Sequence, residues 1–400
     1  CVVVSLFIGL NVSAEEIIKD RKLLQRESFL NLSRFSFLNS KITILFLLSA
    51  IQTLMFVLIG NTVLEIQGLN WSYWLILFST ACFANMLGLN ISSGMNSVVA
   101  IYVLIPLILV PHLLFSGVIV NFDKLHKSMA SEEFVPRIGD LMVSRWSYEA
   151  LAVNQFKNND YQALFFEEEQ GMSNASYYGT TLMPELLNHL EMARWARDHE
   201  ESQTRIQHQT MLANGFAQLH DQYPDLFPEN IVPDPRDIWD KSDYEKAGEI
   251  IGEARNEFNA DYKFWRDERD AKMDRLIEKS GSSEKVVDLK KDYHNEALAD
   301  ILLNKRSSEQ FVYTGEKFIR KQHPVYKEPT GEWGRAHFYA PAKRLGPLAI
   351  STPIFNLIVI WSGVIIMYIT LYLDVLRRII GYFEKFKLKR LHRKLQKLGT

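Results

Sequence analysis

The sequence predicts an α-helical membrane protein in which a large, mainly α-helical external domain is inserted before the last membrane span. The first observation is charge segregation: the 79 residues of 42–120 contain a single charged residue, Glu65, whereas 121–373 contain 30 basic and 40 acidic residues. The second is that both cysteines, Cys1 and Cys82, lie outside the charged segment, which therefore has no disulfide framework. The net charge of −2 hides this division and misleadingly suggests an ordinary soluble chain.

Four segments are long and apolar enough to cross a bilayer, which takes about 20 apolar residues. They are 42–64, 71–91, 98–120 and 348–373. Residues 1–12 are also apolar, but no basic residues precede them as they would in a signal peptide. We therefore interpret 1–12 as the end of an earlier span and expect the chain to be truncated at its N-terminus.

The distribution of Lys and Arg predicts the orientation of the spans. The tail 374–400 carries nine basic and two acidic residues, and 13–41 carries six basic and four acidic residues, so both are expected in the cytoplasm. The loop 65–70 has no Lys or Arg and is expected outside. Counting spans then places 121–347 on the external side, which is the periplasm if the protein is a multi-pass protein of a cell inner membrane.

The external segment is predicted to be mostly helical. Residues 182–222, 241–280 and 283–305 are rich in helix-forming residues, and 241–280 repeats apolar residues at three- and four-residue steps. The last part, 322–347, contains four prolines and is expected to be extended. We expect a helical bundle or long hairpin whose ends return to the membrane.

No motif for catalysis appears in the sequence. There is no phosphate-binding loop, no GxGxxG, no HExxH and no CxxC, so we assign no catalytic, cofactor-binding or metal-binding residues. His112 lies within an apolar span, where an ionisable group is a functional candidate. The alternative is a neutral imidazole bonded to a backbone carbonyl freed by Pro106 or Pro111.

The cytoplasmic stretch 13–30 predicts a short amphipathic helix. Ser13 can cap its start, and Glu15 and Glu16 fall in the first turn, where carboxylates are favourable. Such a helix lies on lipid headgroups or docks into a groove of a soluble partner, and the residues alone leave both options open.

Three stretches together resemble ABC-2 type permeases, the membrane half of ABC transporters of the G subfamily. They are EEIIKDRKLLQRE followed by SRFSFLNSKI, FSGVIVNF at 115–122, and SRWSYEAL at 144–151. Their order along the chain also matches that family, with a span, a coupling helix, three spans, an external loop and a last span. The resemblance covers about 1–157 and 348–376.

The resemblance implies a permease that exports a hydrophobic or amphipathic substrate by alternating access, as a dimer of two protomers. Its ATP-binding cassette domain, with ATP and Mg²⁺, is expected to be missing from this chain. Contact with that domain is expected from a coupling set of residues, within which Arg26 and Glu27 would brace the joint. The coupling set is Glu15, Glu16, Lys19, Asp20, Arg21, Arg26 and Glu27.

The resemblance also implies a substrate pathway along the span 98–120. Val118 and Ile119 match a pair of bulky apolar residues that forms a valve above the substrate cavity, although ordinary helix packing would also explain these side chains. The pathway set is Asn96, Tyr102, Pro106, His112, Val118 and Ile119.

The external segment departs from the family, because it is far longer than the usual external loop and lacks the cysteines of that loop. An alternative hypothesis is therefore a membrane-anchored scaffold whose periplasmic helical domain recruits partner proteins. A membrane enzyme acting in the periplasm is a weaker third hypothesis, because it would need a polar catalytic cluster that the sequence does not contain.

These inferences divide the chain into seven regions. They are the end of an earlier transmembrane helix (1–12), the cytoplasmic coupling helix and linker (13–41), three transmembrane helices (42–120), a re-entrant or external return region (121–157), the periplasmic helical domain (158–347), the last transmembrane helix (348–373) and the basic cytoplasmic tail (374–400).

Overall fold

The computed structural model describes residues 1–20, 33–119, 122, 131–229 and 233–382. Within these ranges the chain forms a bundle of apolar helices followed by a mainly helical domain, and it then returns to the bundle. The bundle contains α1 (Val2–Ser13), α2 (Arg34–Val63), α3 (Asn70–Gly94), α4 (Val98–Leu114), α5 (Arg137–Asp140), α6 (Val143–Lys157) and α13 (Thr352–Tyr372).

Three described helices, α2, α3 and α13, are long and apolar enough to cross a membrane, and α4 is a shorter apolar helix of 17 residues. The sequence predicts a span over 98–120, but α4 ends at Leu114 because the chain turns at Gly117, whose φ is +81°. The last span begins four residues later than the predicted 348, since 348–351 forms a strand.

Small residues allow α1 to pack closely against the centre of the bundle on α3. A Cβ atom added to Gly9 would lie 2.7 Å from the Cβ of Ala84, and one added to Gly88 would lie 2.0 Å from Oγ of Ser13. Helices within a membrane gain little from apolar burial and associate through such close backbone contact. Residues 1–12 are thus helical and packed in the bundle.

The domain that the sequence predicts to be external, called the external domain below, contains α7 (Gln162–Ser176), α8 (Met183–Asp198), α9 (Ser202–His220), α10 (Lys241–Ser280), α11 (Ser283–Tyr293) and α12 (Glu296–Leu302), with a π-helical stretch at Tyr177–Leu182. The helix predicted over 241–280 is confirmed by α10. The stretch 182–222 is broken at Glu200, whose φ is +59°, and the stretch 283–305 is broken where Asn295 caps α12. A separate apolar core, including Phe216, Phe227, Trp239, Phe258 and Phe318, holds α8, α9 and α10 together. A smaller cluster joins α7 and α12 to α6.

Two short antiparallel hairpins complete the domain. The strands β1 (Phe311–Tyr313) and β2 (Phe318–Arg320) pair with each other, as do β3 (Ala342–Leu345) and β4 (Leu348–Ser351). Gly346, with φ +57°, supplies the first central position of the two-residue turn between β3 and β4. A 3₁₀ turn at Pro324–Tyr326 lies between the two hairpins.

The two ends of the bundle are distinct. At one end, Arg34 at the start of α2 contacts Asp374 just after α13, with Nη2 and Oδ1 2.6 Å apart. At the other end, the hydroxyl of Tyr73 in α3 donates to Oε1 of Gln155 in α6 at 2.6 Å. The external domain continues directly from that second end of the bundle.

Candidate functional site

The predicted coupling segment folds back onto α2. Residues 16–20 are helical, and Nζ of Lys41 lies 2.8 Å from Oε2 of Glu16 and 2.7 Å from Oδ2 of Asp20. Lys19 makes an ion pair with Glu15, one helical turn away. The structure therefore brings four of the predicted coupling residues together, whereas Arg21, Arg26 and Glu27 lie outside the described residues.

The same segment is bonded to α3 and α4. The Oγ of Ser92 in α3 accepts hydrogen bonds from the backbone N–H groups of Ile17 (3.1 Å) and Ile18 (3.0 Å). Hydrogen bonds from Lys19 and from Tyr102 in α4 hold the pKa of Glu15 below its ordinary value. Side chains of three apolar helices thus hold one short segment, residues 15–20.

The pathway residues do not all lie on one surface of α4. Tyr102 and Pro106 are one helical turn apart and both exposed, so they share the exposed face of the helix. Asn96 is exposed just before α4, at the end of the bundle where the coupling segment lies. Val118 and Ile119 are exposed beyond the end of the helix. Tyr102 therefore belongs both to this face and to the contacts of the coupling segment.

His112 lies on the other side of α4, where it is buried against α6. Its Nδ1 atom is 3.3 Å from Oγ of Ser144, and that hydroxyl donates to the backbone carbonyl of His112 at 2.6 Å. The partner of the imidazole is thus a side chain of α6 rather than a carbonyl freed by a proline. In this position His112 connects two helices and does not face the exposed side of α4.

A cavity of about 360 Å³ begins at Gly117 and Val118 and extends into the external domain. Gly117 packs so tightly that an added Cβ would lie 2.7 Å from the ring of Phe338. Lys321 and Lys327 also line the cavity, and burial lowers the pKa of Lys327 to about 8. The space next to the predicted valve is therefore enclosed partly by external-domain side chains.

A buried polar cluster joins α6, β3 and the start of α13. Nζ of Lys343 lies 2.6 Å from Oε2 of Glu149 and donates to Oδ1 of Asn356 at 3.0 Å. The amide of Asn356 donates to Glu149 at 2.9 Å and to the carbonyl of Trp146 at 2.9 Å. Neither Glu149 nor Lys343 is accessible to solvent, so the cluster fixes the returning chain to the last span from inside the protein.

The electrostatics of this cluster favour the charged form of Glu149 but not that of Lys343. Burial alone would raise the pKa of Glu149, but Arg145 and Lys343 outweigh it and hold that pKa below its ordinary value. Burial lowers the pKa of Lys343 to about 8, against the opposing effect of Glu149. Arg145 lies 3.5 Å from both Glu149 and Asp140, so the cluster contains two buried cations around one fully buried carboxylate.

The sequence-based prediction missed this cluster. Its signals were the charged pair Arg145 and Glu149, four residues apart in SRWSYEAL, and Lys343, next to Arg344 in the otherwise apolar run YAPAKRLGPLAI. A charge inside an apolar run indicates a buried partner, since an unpaired buried charge is very costly. The sequence does not identify the partner of Lys343, because Glu149 is 194 positions away and only the fold brings the two together.

The described ranges contain no group of three or more His, Cys, Asp or Glu side chains that could hold a metal ion. The acidic run of α7 is engaged in contacts within the domain. Glu168 pairs with Lys272 at 2.5 Å, and Glu169 accepts hydrogen bonds from Gln162 and Tyr326.

Comparison with known proteins identifies one match. Residues 1–156 match the model of the family described as ABC-2 type transporter. Comparison with curated proteins and with solved structures gives no match. The matched region covers α1 to α6 and ends next to α7, where the external domain begins.

Proposed function

Residues 1–156 form an ABC-2 type transporter domain, so this membrane protein contains the membrane component of an ABC transporter, and we propose that it is the permease half of an exporter. That family implies pairing with an ATP-binding cassette partner. We assign the chain to the G-subfamily type and its substrate to the hydrophobic or amphipathic class. ATP and Mg²⁺ would bind to the cassette domain, and this chain would respond by changing shape.

The contacts of the coupling segment are the observation that carries the proposal. Lys41 of α2, Ser92 of α3 and Tyr102 of α4 all bond to residues 15–20. A displacement of this segment by a cassette domain would therefore act on three apolar helices at once. Alternating access needs such a two-state element that a ligand at another site can bias.

The exposed face of α4 supports a dimer with a shared pathway. Val99, Val103 and Leu107 are exposed on this helix together with Tyr102 and Pro106. We propose that a second protomer covers this face, that substrate moves between the two copies, and that Val118 and Ile119 form the valve at its end. The cavity beyond Val118 would then receive the substrate before release.

The proposed orientation follows the charge distribution. The end with Arg34, Lys41 and the coupling segment faces the cytoplasm, together with the basic tail after α13. The external domain then faces the periplasm or the cell exterior, and the membrane is the inner membrane of a cell.

Replacing Lys41 tests the coupling. Lys41→Gln removes both ion pairs to Glu16 and Asp20, so we expect substrate-stimulated ATP hydrolysis and transport in proteoliposomes to fall about fivefold or more, the size of a typical coupling energy. Substrate binding should change little, because Lys41 is outside the proposed pathway.

Arg34→Gln is the matched control, because it breaks an ion pair at the same end of α2 without touching residues 15–20. It should leave the coupling of ATP hydrolysis to transport intact. If Lys41→Gln, and also Arg26→Ala with Glu27→Ala, leave ATP hydrolysis and export unchanged, the coupling proposal fails and the membrane-anchored scaffold becomes the better hypothesis.

A further inference from the structure

We propose that an apolar patch of the external domain, formed by Trp333, Leu345 and Leu348, lies in the interfacial layer of the membrane. The leaflet is the one at which α13 begins, which is the outer leaflet in the orientation proposed above. The patch would hold the base of the external domain against the lipid surface as the helices move.

The side chains of the patch are exposed and lie close together. Trp333 is 79% exposed and Leu348 is 66% exposed. Leu345 and Leu348 flank the turn of the β3–β4 hairpin, and Trp333 forms an isolated antiparallel bridge with Leu345. Exposed apolar side chains that cluster in this way mark a surface that contacts a protein or a membrane.

Two contacts place the hairpin beside the start of the last span rather than far above it. A Cβ atom added to Gly334 would lie 2.4 Å from Cζ of Phe355, so the chain next to Trp333 touches the first turn of α13. Lys343, in the middle of β3, bonds to Asn356. The patch therefore lies at the level of Phe355 and Asn356, near the start of the membrane-crossing helix α13.

The patch continues the apolar surface that α13 presents to lipid. One face of α13 packs on α3 and α6, while Ile354 and Ile358, one turn apart, are exposed. Because Ile354 lies in the same first turn as Phe355, the exposed face of the helix and the patch meet at the membrane boundary. A bilayer that covers Ile354 and Ile358 would therefore extend to the level of Phe355 and of Gly334, which follows Trp333 in the chain.

The side chains around the patch suit an interface rather than the hydrocarbon core. Tryptophan is enriched at membrane–water interfaces, and arginine there reaches for headgroup phosphates. Arg335 and Arg344 are both exposed next to the patch. Glu328 and Glu332 are exposed there too, and Arg344 lies 3.6 Å from Glu328. Both positive and negative side chains therefore surround the patch.

Spin labels test the depth of the patch. Cysteine would replace Trp333 or Leu348 in the full protein. Cys1 would be changed to Ser because it is exposed, whereas Cys82 can remain because it is buried. The labelled protein would be placed in vesicles of phosphatidylcholine and phosphatidylglycerol. Trp195→Cys and Ile238→Cys are matched controls, since both are exposed apolar positions elsewhere on the external domain.

Labels at 333 and 348 should be more accessible to dissolved oxygen than to a water-soluble nickel complex, and labels at 195 and 238 should show the reverse. Water-like accessibility at 333 and 348 would overturn the proposal. Spin–spin broadening between copies at 333 would also overturn it, because a second copy would then cover the patch.

A second measurement leaves the side chains almost unchanged. Brominated lipids should quench the fluorescence of the native protein by a larger fraction than that of Trp333→Phe, which lacks the contribution of Trp333. Equal fractional quenching of the two proteins contradicts the proposal. Both measurements report depth and not sidedness, so they succeed or fail independently of the proposed direction of transport.

Discussion

Glu149 and Lys343 are acceptable in the interior only because each lies beside the other. A buried ion pair adds little net stability, but removing one partner leaves a buried charge without compensation and typically costs 3–5 kcal/mol. Because Arg145 lies beside Glu149, the loss of Glu149 and the loss of Lys343 should differ in their effect on stability. Without Lys343 the carboxylate still has Arg145 beside it, whereas without Glu149 Lys343 loses its ion pair and Arg145 keeps only its contact with Asp140.

We therefore expect Glu149→Gln to lower the free energy of unfolding by about 3 kcal/mol and Lys343→Met to lower it by less. Adding Lys343→Met to Glu149→Gln should recover part of the loss, because it removes the cation that has lost its ion pair. The measurement is denaturant unfolding in detergent, followed by tryptophan fluorescence.

Lys241→Met is the control for this series, since Lys241 pairs with Glu245 at an exposed position where such pairs contribute about 0.5 kcal/mol or less. Equal losses for Lys343→Met and Lys241→Met would refute the buried-pair account. A double variant that is less stable than Glu149→Gln alone would refute the argument based on Arg145.

At the same scale, the sequence predicts individual residues only where local chemistry identifies them. Glu15, Glu16, Lys19 and Asp20 belong to one amphipathic segment, and the structure does bring them together. Tyr102 bonds to Glu15 and His112 to Ser144 through helix packing. Those partners are distant in sequence, so no local pattern predicts them.

Among the elements, α8 and α9 are joined by a histidine pair. Nδ1 of His189 lies 2.9 Å from Nδ1 of His208, and Nε2 of His189 lies 3.5 Å from Glu185. Burial, with a smaller effect of His208, lowers the pKa of His189 to about 4, and burial also lowers the pKa of His208. Both imidazoles are therefore neutral in the folded domain at neutral pH.

This pair predicts an acid-sensitive external domain. The ordinary histidine pKa of about 6.5 applies to the unfolded chain, so between about pH 6.5 and pH 4 the unfolded chain binds more protons than the folded one. Stability should be fully present above pH 6.5 and fall as the pH decreases through that window. Thermal unfolding followed by circular dichroism at pH 7 and pH 5 measures the difference.

Replacing both histidines of the pair with glutamine should reduce this pH dependence. It will not abolish it, because burial also lowers the pKa of His323 to about 4 and that of His337 to about 3. His199→Gln is the control, as His199 is exposed. An equal reduction by His199→Gln would argue against the pair as a source of acid sensitivity.

The accuracy with which the sequence predicts these elements depends on local end signals. The helix predicted over 241–280 matches α10 because Asp240 caps its start and Gly281, with φ +78°, ends it. Composition alone misses the break between α8 and α9, where Glu200 adopts a positive φ. Nothing in the local composition marks that break.

For the whole molecule, the segregation of charge and the position of the two bundle ends predict the same membrane topology. Asn96 lies at the end with the coupling segment, and Glu65 lies at the end from which the external domain extends. A cysteine at Glu65 or at Ile238 should react with a membrane-impermeant maleimide in intact cells. A cysteine at Asn96 should react only after permeabilisation.

Labelling of all three positions without permeabilisation would contradict the proposed topology. Labelling of Asn96 alone would reverse the orientation while leaving the fold unchanged. Charge counts could predict the number of crossings and the position of the external domain, but not its architecture, because long-range packing of α8, α9 and α10 determines its main core.

The ion pair between Glu149 and Lys343 also has a consequence for how this chain can vary in length. The chain departs at Glu149 and returns to the same point at Lys343, 194 positions later. The entropy of closing a loop grows only with the logarithm of its length, about 0.6 kcal/mol for each doubling. A lineage could therefore extend, shorten or replace the external domain with little effect on the stability of the spans, provided that Glu149, Lys343 and Asn356 are retained.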